Sequence, residues 1–253
     1  MLPPITVVMT LFIPPLDGPY GGMPRLKCAA QTIMSWGRHL KYDGELRLYV
    51  ANDSVSIPEG IANDMAHSFS PWPVVVGHTQ GQGLGGALNK GLQYAWPHSP
   101  LAAYVDDSYS LVQDYDITPW AKVLMRQTEY EDQPADKRKW PLGAVSLMPP
   151  RPGQDGGTCL YSQDIRTEGV AGIVFEKRGY VWNGRPFLYH KRFFDRYGYT
   201  PEGVGGYEWE SQYADHVVAT PGPQVLYGFN DPFQHVWSVL LGNAPPGWTG
   251  EKP

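Results

Sequence analysis

The sequence is poor in cysteine, in basic charge and in long apolar runs. Cys28 and Cys159 are its two cysteines. Cys28 lies in a helical pattern and no spacing pairs it with Cys159, so a reduced, cytoplasmic setting is the expectation. Lys and Arg number 20 against 25 Asp and Glu, a net charge of −5, which argues against gripping nucleic acid by bulk electrostatics. The short basic run Lys137-Arg138-Lys139 reads as a solvated loop, with a phosphate-bearing partner as the alternative. No apolar run approaches membrane-spanning length, and the N-terminus lacks the basic lead and cleavage site of a signal peptide, so no membrane span is expected. Internal repeats and low-complexity linkers are missing too.

What remains is a chain of globular composition. At 253 residues, with 42% hydrophobic and 18% charged, it can bury a large core without staples. Its 9 Trp and 16 Tyr suit clefts that hold ring-shaped ligands as well as ordinary cores.

The run Ile5-Thr6-Val7-Val8-Met9-Thr10-Leu11 is β-branched and apolar, as a strand buried on both faces must be. A Pro/Gly-rich loop follows, then a helical pattern over 25–40. A second strand spans 46–51 and ends in Asn52-Asp53, a third spans 73–76, and a glycine-rich turn at 81–86 leads into a helix over 88–95. Another strand, 101–105, stops at Asp106-Asp107. This alternation predicts an α/β fold with a parallel sheet, right-handed crossovers and ligands at the carboxyl ends of the strands. The later pattern predicts helices near 120–128, 191–197 and 208–217, and strands at 142–147, 172–175, 186–190 and 224–228. One domain is expected, with a first half over 1–110, a second over 111–242 and an irregular tail over 243–253.

Three features carry chemistry. Adjacent carboxylates at the end of a buried strand repel and pay for desolvation unless a cation or donors compensate, so Asp106-Asp107 fits a divalent ion or a plain turn. Asp53 ends a strand, where a carboxylate accepts from a base edge or ribose hydroxyl, or caps a turn. In His78-Thr79-Gln80-Gly81-Gln82-Gly83-Leu84-Gly85-Gly86-Ala87-Leu88-Asn89-Lys90-Gly91 the glycines let backbone approach a ligand at a helix N-terminus. This is neither a Walker A loop nor a dinucleotide fingerprint.

Their order resembles glycosyltransferase family 2: a strand ending in Asp, a Gly-rich turn with Ala-x-Asn-x-Gly on its helix, and a strand ending in paired Asp. Phe187 to Tyr199 and Gly205-Gly206-Tyr207-Glu208-Trp209-Glu210 extend the likeness over most of the chain. The resemblance implies a GT-A, Rossmann-like mixed sheet flanked by helices, and transfer of a sugar from a nucleotide-sugar donor (UDP- or GDP-sugar) to an unidentified acceptor. It implies Thr10, Asp53, Gln80, Gly81, Gly83, Asn89, Lys90 and Asp106 at the donor. Asp107 and His235 would hold Mn2+ or Mg2+, Glu208 would be the base of an inverting reaction with Glu210 in reserve, and Tyr207 and Trp209 would meet the acceptor. Two departures stand out: Asp-Asp-Ser lacks the third carboxylate of the metal motif, and Tyr-Glu-Trp-Glu replaces the family's Glu-Asp pair. A sugar-phosphate nucleotidyltransferase and a non-catalytic carbohydrate-binding protein of the same fold are the competing readings.

Overall fold

The computed structural model describes residues 1–13, 22–55, 58–126, 141–148, 161–167, 170–175, 185–204, 208–220, 222, 224–228 and 232–235. Strand β1 (Ile5–Leu11) is buried at all seven positions, which its uninterrupted apolar and β-branched sequence anticipates. It runs parallel to β3 (Leu46–Asn52) on one side and β5 (Leu101–Asp106) on the other. Outside β3 lies β4 (Val74–His78), also parallel. Beyond β5 the sheet turns mixed. There β11 (Phe187–His190) is antiparallel to both β5 and β8 (Leu142–Ser146), followed by β12 (Gln224–Gly228), β10 (Val170–Phe175) and β9 (Tyr161–Thr167). The nine strands are ordered β4-β3-β1-β5-β11-β8-β12-β10-β9.

Two apolar clusters cover the sheet, one per face. Val7, Met9, Ala103 and Val105 pack with α1 (Gly22–His39), α2 (Glu59–Phe69) and α4 (Thr118–Arg126). Val8, Ala102 and Tyr104 pack with α3 (Gly83–Ala95), α5 (Arg192–Tyr197) and α6 (Glu208–Ala219). The split follows from the two-residue period of the strands. The chain moves outward from β1 through β3 to β4 on one face, then returns through α3 on the other to place β5 beside β1. The C-terminal ends of β1 and β5 therefore flank a topological switch point, where open α/β sheets form their ligand crevice.

The α/β class and the mixed sheet agree with the sequence expectation. Helix α2 was not anticipated, because two of the three residues in its buried stripe of Ala62, Met65 and Ala66 are alanines, too small to give a strong apolar signal. Nor were β9, β2 (Leu40–Lys41), β6 (Tyr109–Leu111), β7 (Tyr115–Asp116) and β13 (Phe233–His235); apart from β9 these have two or three residues, below the length at which periodicity registers. Helix α3 begins at Gly83, so the glycine run expected to be a turn is largely its first turn. Among the described residues no helix is long and apolar enough to cross a membrane. The run Lys137-Arg138-Lys139, Cys159, Tyr207 and the tail over 243–253 lie outside the described residues.

Candidate functional site

The two adjacent aspartates go to opposite faces. Asp106, the last residue of β5, is registered against Thr10 of β1 at the switch point. Alternation puts it on the face of Tyr104, whose hydroxyl lies 3.4 Å from Thr10 Oγ1. Asp106 Oδ1 accepts from the backbone N–H of Ser108 at 2.7 Å and from its hydroxyl, closing a tight turn. Tyr104 is wholly buried. Burial, then the charges of Asp106 and Glu210, hold its hydroxyl well above the ordinary phenol range, with Asp107 adding a smaller push. Glu210 of α6 thus shares the Thr10, Tyr104 and Asp106 side of the sheet.

Asp107 turns under α1. Its carboxylate accepts from Arg25 at both oxygens, Nε donating to Oδ2 at 3.1 Å and Nη2 to Oδ1. The Phe12 N–H donates to Oδ2 at 3.3 Å, and Thr32 donates its hydroxyl to the Asp107 carbonyl at 3.1 Å. Only 1% of Asp107 is exposed. Burial pushes its carboxyl above the ordinary range while the Arg25 charge pulls it back; a bidentate guanidinium partner of this kind favours the ionised form. Arg25 was not among the expected site residues. The pairing was not legible because 82 residues separate the partners, which meet where α1 packs beside the end of β5.

At the neighbouring strand tips, Asp53 is buried and its Oδ1 accepts from the Thr79 hydroxyl at 2.6 Å. Asn52 reaches His78 Nδ1 at 3.1 Å and accepts from the Ser54 N–H at 3.0 Å. These contacts fasten β3 to the segment after β4, with Gln80 and Gly81 exposed beside them. Gln80 and Gly81 both adopt positive φ, 54° and 80°, a turn that glycine tolerates without strain. Lys90 is exposed and donates to the His78 carbonyl at 2.6 Å.

The rest of the glycine-rich motif does different work from that expected. A Cβ on Gly85 would lie 2.2 Å from the Pro201 carbonyl oxygen, and one on Gly83 3.0 Å from that of Val204. Asn89, buried in α3, donates to the Thr200 carbonyl at 2.8 Å and to Glu202 Oε1 at 2.9 Å, and accepts from the Thr200 N–H at 3.0 Å and hydroxyl at 2.8 Å. The glycines make room for the 200–204 loop over the start of α3, and Asn89 clasps it. That loop leads to α6 and its acids. Asn89 is therefore committed to the protein rather than open to a donor.

Helix α6 presents Glu208 exposed in its first turn, where Gln212 Nε2 donates to Oε1 at 3.2 Å. Trp209, expected to meet the acceptor, is 1% exposed within the core beside Tyr213 and Val217; an indole so enclosed cannot stack on a sugar. The side chains of Tyr207 and His235 lie outside the described residues. The backbone of His235 is registered against Tyr109, two residues beyond Asp107. Among the described residues, no group of three His, Cys, Asp or Glu side chains is placed to hold a metal ion.

Solved structures share this arrangement. The S. aureus TarS structure in complex with UDP-GlcNAc superposes with a TM-score of 0.51 at 11% identity, covering 95% of this chain and 67% of that one. GalNAc-T7 with UDP, GalNAc and Mn2+ superposes with a TM-score of 0.54 at 15% identity, covering 90% of this chain and 42% of that one. The chain has the GT-A glycosyltransferase fold. It spans 61% of the TarS chain solved with UDP, so what those longer proteins bind is theirs. No protein-family model matches the sequence, and no curated protein matches it either.

Proposed function

We propose that the protein transfers a sugar from a nucleoside-diphosphate sugar to an acceptor hydroxyl. The observation that carries this reading is Asp106 at the switch point, registered against Thr10 beside the Thr10–Tyr104 pair. It places an anionic hydrogen-bond acceptor where an open α/β sheet holds a nucleotide. Asp53, buried with Oδ1 accepting from the Thr79 hydroxyl, is the carboxylate that the resemblance puts at the base. Asp106 would take a ribose hydroxyl, and Gln80, Gly81 and Lys90 border the base side. UDP and GDP are the donor nucleotides favoured by the resemblance.

In the transfer, the acceptor oxygen attacks the anomeric carbon as the bond to the diphosphate breaks, and one carboxylate takes the acceptor proton. Glu208 fits that role: it is exposed at the start of α6, and its Oε1 accepts from Gln212. Such a base on the face opposite the leaving group gives inversion. Glu210, half-buried on the Tyr104 side, is the alternative. Asp107, expected to hold Mn2+ or Mg2+, does not fit a metal in the arrangement seen, since Arg25 and the Phe12 N–H take its oxygens. The reading therefore routes no step through an ion.

Thermal shift with UDP, GDP, CDP and TDP tests the donor site, since a ligand of the native state raises its melting point by mass action. One nucleotide is expected to shift the wild type and to lose its effect in Asp53→Ala. Glu208→Gln should keep that shift while lowering transfer by about 10²-fold or more. No shift with any nucleotide refutes the donor reading and favours a non-catalytic protein of this fold. Unchanged transfer in Glu208→Gln, with a loss in Glu210→Gln, moves the base to Glu210.

A further inference from the structure

We propose that Arg25 stands in for a divalent ion at the carboxylate pair, so that nucleoside-diphosphate binding here is independent of metal. The inference rests on the donor reading above, and the observation beneath it is the Arg25–Asp107 pair. A divalent ion in a paired-aspartate site neutralises carboxylates whose repulsion and burial are otherwise unfavourable. Here a guanidinium already does so, engaging both oxygens of Asp107. Burial works against the Arg25 charge, and the charges of Asp107 and then Asp106 outweigh it. A guanidinium matches a carboxylate fork in geometry and keeps its charge throughout the accessible pH range.

Three further facts set this pair against a metal seat. Asp107 is 1% exposed, and its carbonyl and carboxylate both have protein donors in Thr32 and Phe12. Asp106 Oδ1 is itself engaged by the Ser108 N–H and hydroxyl, so neither carboxylate is open at both oxygens. Placing an ion at Asp107 would expel Arg25 from a site where its side chain is 20% exposed. That would leave a mostly buried cation without its partner, a penalty that weakens the ion by about a hundred-fold or more. Asp106 is then left to the ribose, and the third carboxylate missing from Asp-Asp-Ser has nothing to complete.

The test is calorimetric titration of the full chain with UDP and GDP in EDTA and in Mn2+, alongside titration with Mn2+ alone followed by the electron paramagnetic resonance of the free ion. The nucleotide that binds is expected to do so with dissociation constants within about three-fold of each other in the two conditions, and Asp107→Asn should leave the Mn2+ titration unchanged. A gain of about ten-fold or more with Mn2+, abolished by Asp107→Asn or His235→Ala in variants that melt as the wild type does, overturns the inference while the donor reading stands. If neither nucleotide binds in either condition, the donor reading falls. The Mn2+ titration then decides the inference by itself: tight binding to the wild type that Asp107→Asn removes refutes it, and its absence supports it.

Discussion

Replacing Asn89 with Ala separates a structural clasp from a donor contact. Asn89 is 1% exposed and makes four hydrogen bonds to the 200–204 loop, two of them to the backbone N–H and carbonyl of Thr200, itself 3% exposed. Truncation leaves both backbone groups buried without these partners, at about 1–3 kcal/mol each. Allowing for partial relaxation and for the exposed Glu202, the loss of stability is about 3–5 kcal/mol. Thr200→Val removes just the hydroxyl, which donates to the Gly85 carbonyl at 2.9 Å or to Asn89 Oδ1 at 2.8 Å, and is expected to cost about 1 kcal/mol. Urea denaturation measures both. Because the loop leads to α6, Asn89→Ala should lower turnover more than nucleotide affinity. A loss of stability below about 1 kcal/mol, with nucleotide binding weakened about ten-fold or more, would refute the clasp and return Asn89 to the donor site.

Gly85→Ala should destabilise by about 1–3 kcal/mol, because its Cβ would meet the rigid Pro201 carbonyl at 2.2 Å. Combined with Asn89→Ala it should be sub-additive in urea melts, since both act on the same loop; full additivity would argue that they act separately. His190 is held neutral to about 4, first by burial and then by the Arg192 charge, against an ordinary value of 6.5, and its Nδ1 accepts from the Arg192 N–H at 3.1 Å. The folded value lies below the unfolded one, so this stabilisation is complete above pH 6.5 and is lost as pH falls toward 4. Discounted for partial exposure, it amounts to about 1–2 kcal/mol. His190→Asn should flatten that part of the stability-versus-pH curve, and an unchanged slope would place the acid sensitivity elsewhere.

The parallel strands β1, β3 and β5 were legible because they are buried along most of their length and announce themselves as largely apolar runs, two of them ending in Asn52-Asp53 and Asp106-Asp107. The antiparallel half carried a weaker signal, and β9 and the short pairings β2 with β7 and β6 with β13 had none, since two or three residues cannot show a period. Motif order put the candidate residues at the ends of neighbouring strands, and those strand ends stand side by side. It did not give the roles within the motif. Gly85 and Asn89 fit a ligand-cradling pattern as written, yet their partners are Pro201 and Thr200, more than a hundred residues away, and no local rule reports such a contact.

The aspartate pair shows where sequence proximity misleads in a useful way. Two acids side by side invite a single ion between them, because their charges lie close along the chain. A strand, however, sends consecutive side chains to opposite faces, and that alternation continues at the end of β5. Asp106 follows Tyr104 to the α6 side, while Asp107 meets α1 and Arg25. The alternation was readable in advance: Ala102, Tyr104 and Asp106 share one parity, and Ala103, Val105 and Asp107 the other. What parity alone cannot supply is the counter-charge, which depends on α1 bringing Arg25 to a partner 82 residues away in sequence. The fold thus divides one acidic motif into an outward-facing acceptor and an internally neutralised anchor. The chemistry of the site follows from that division rather than from the motif's spelling.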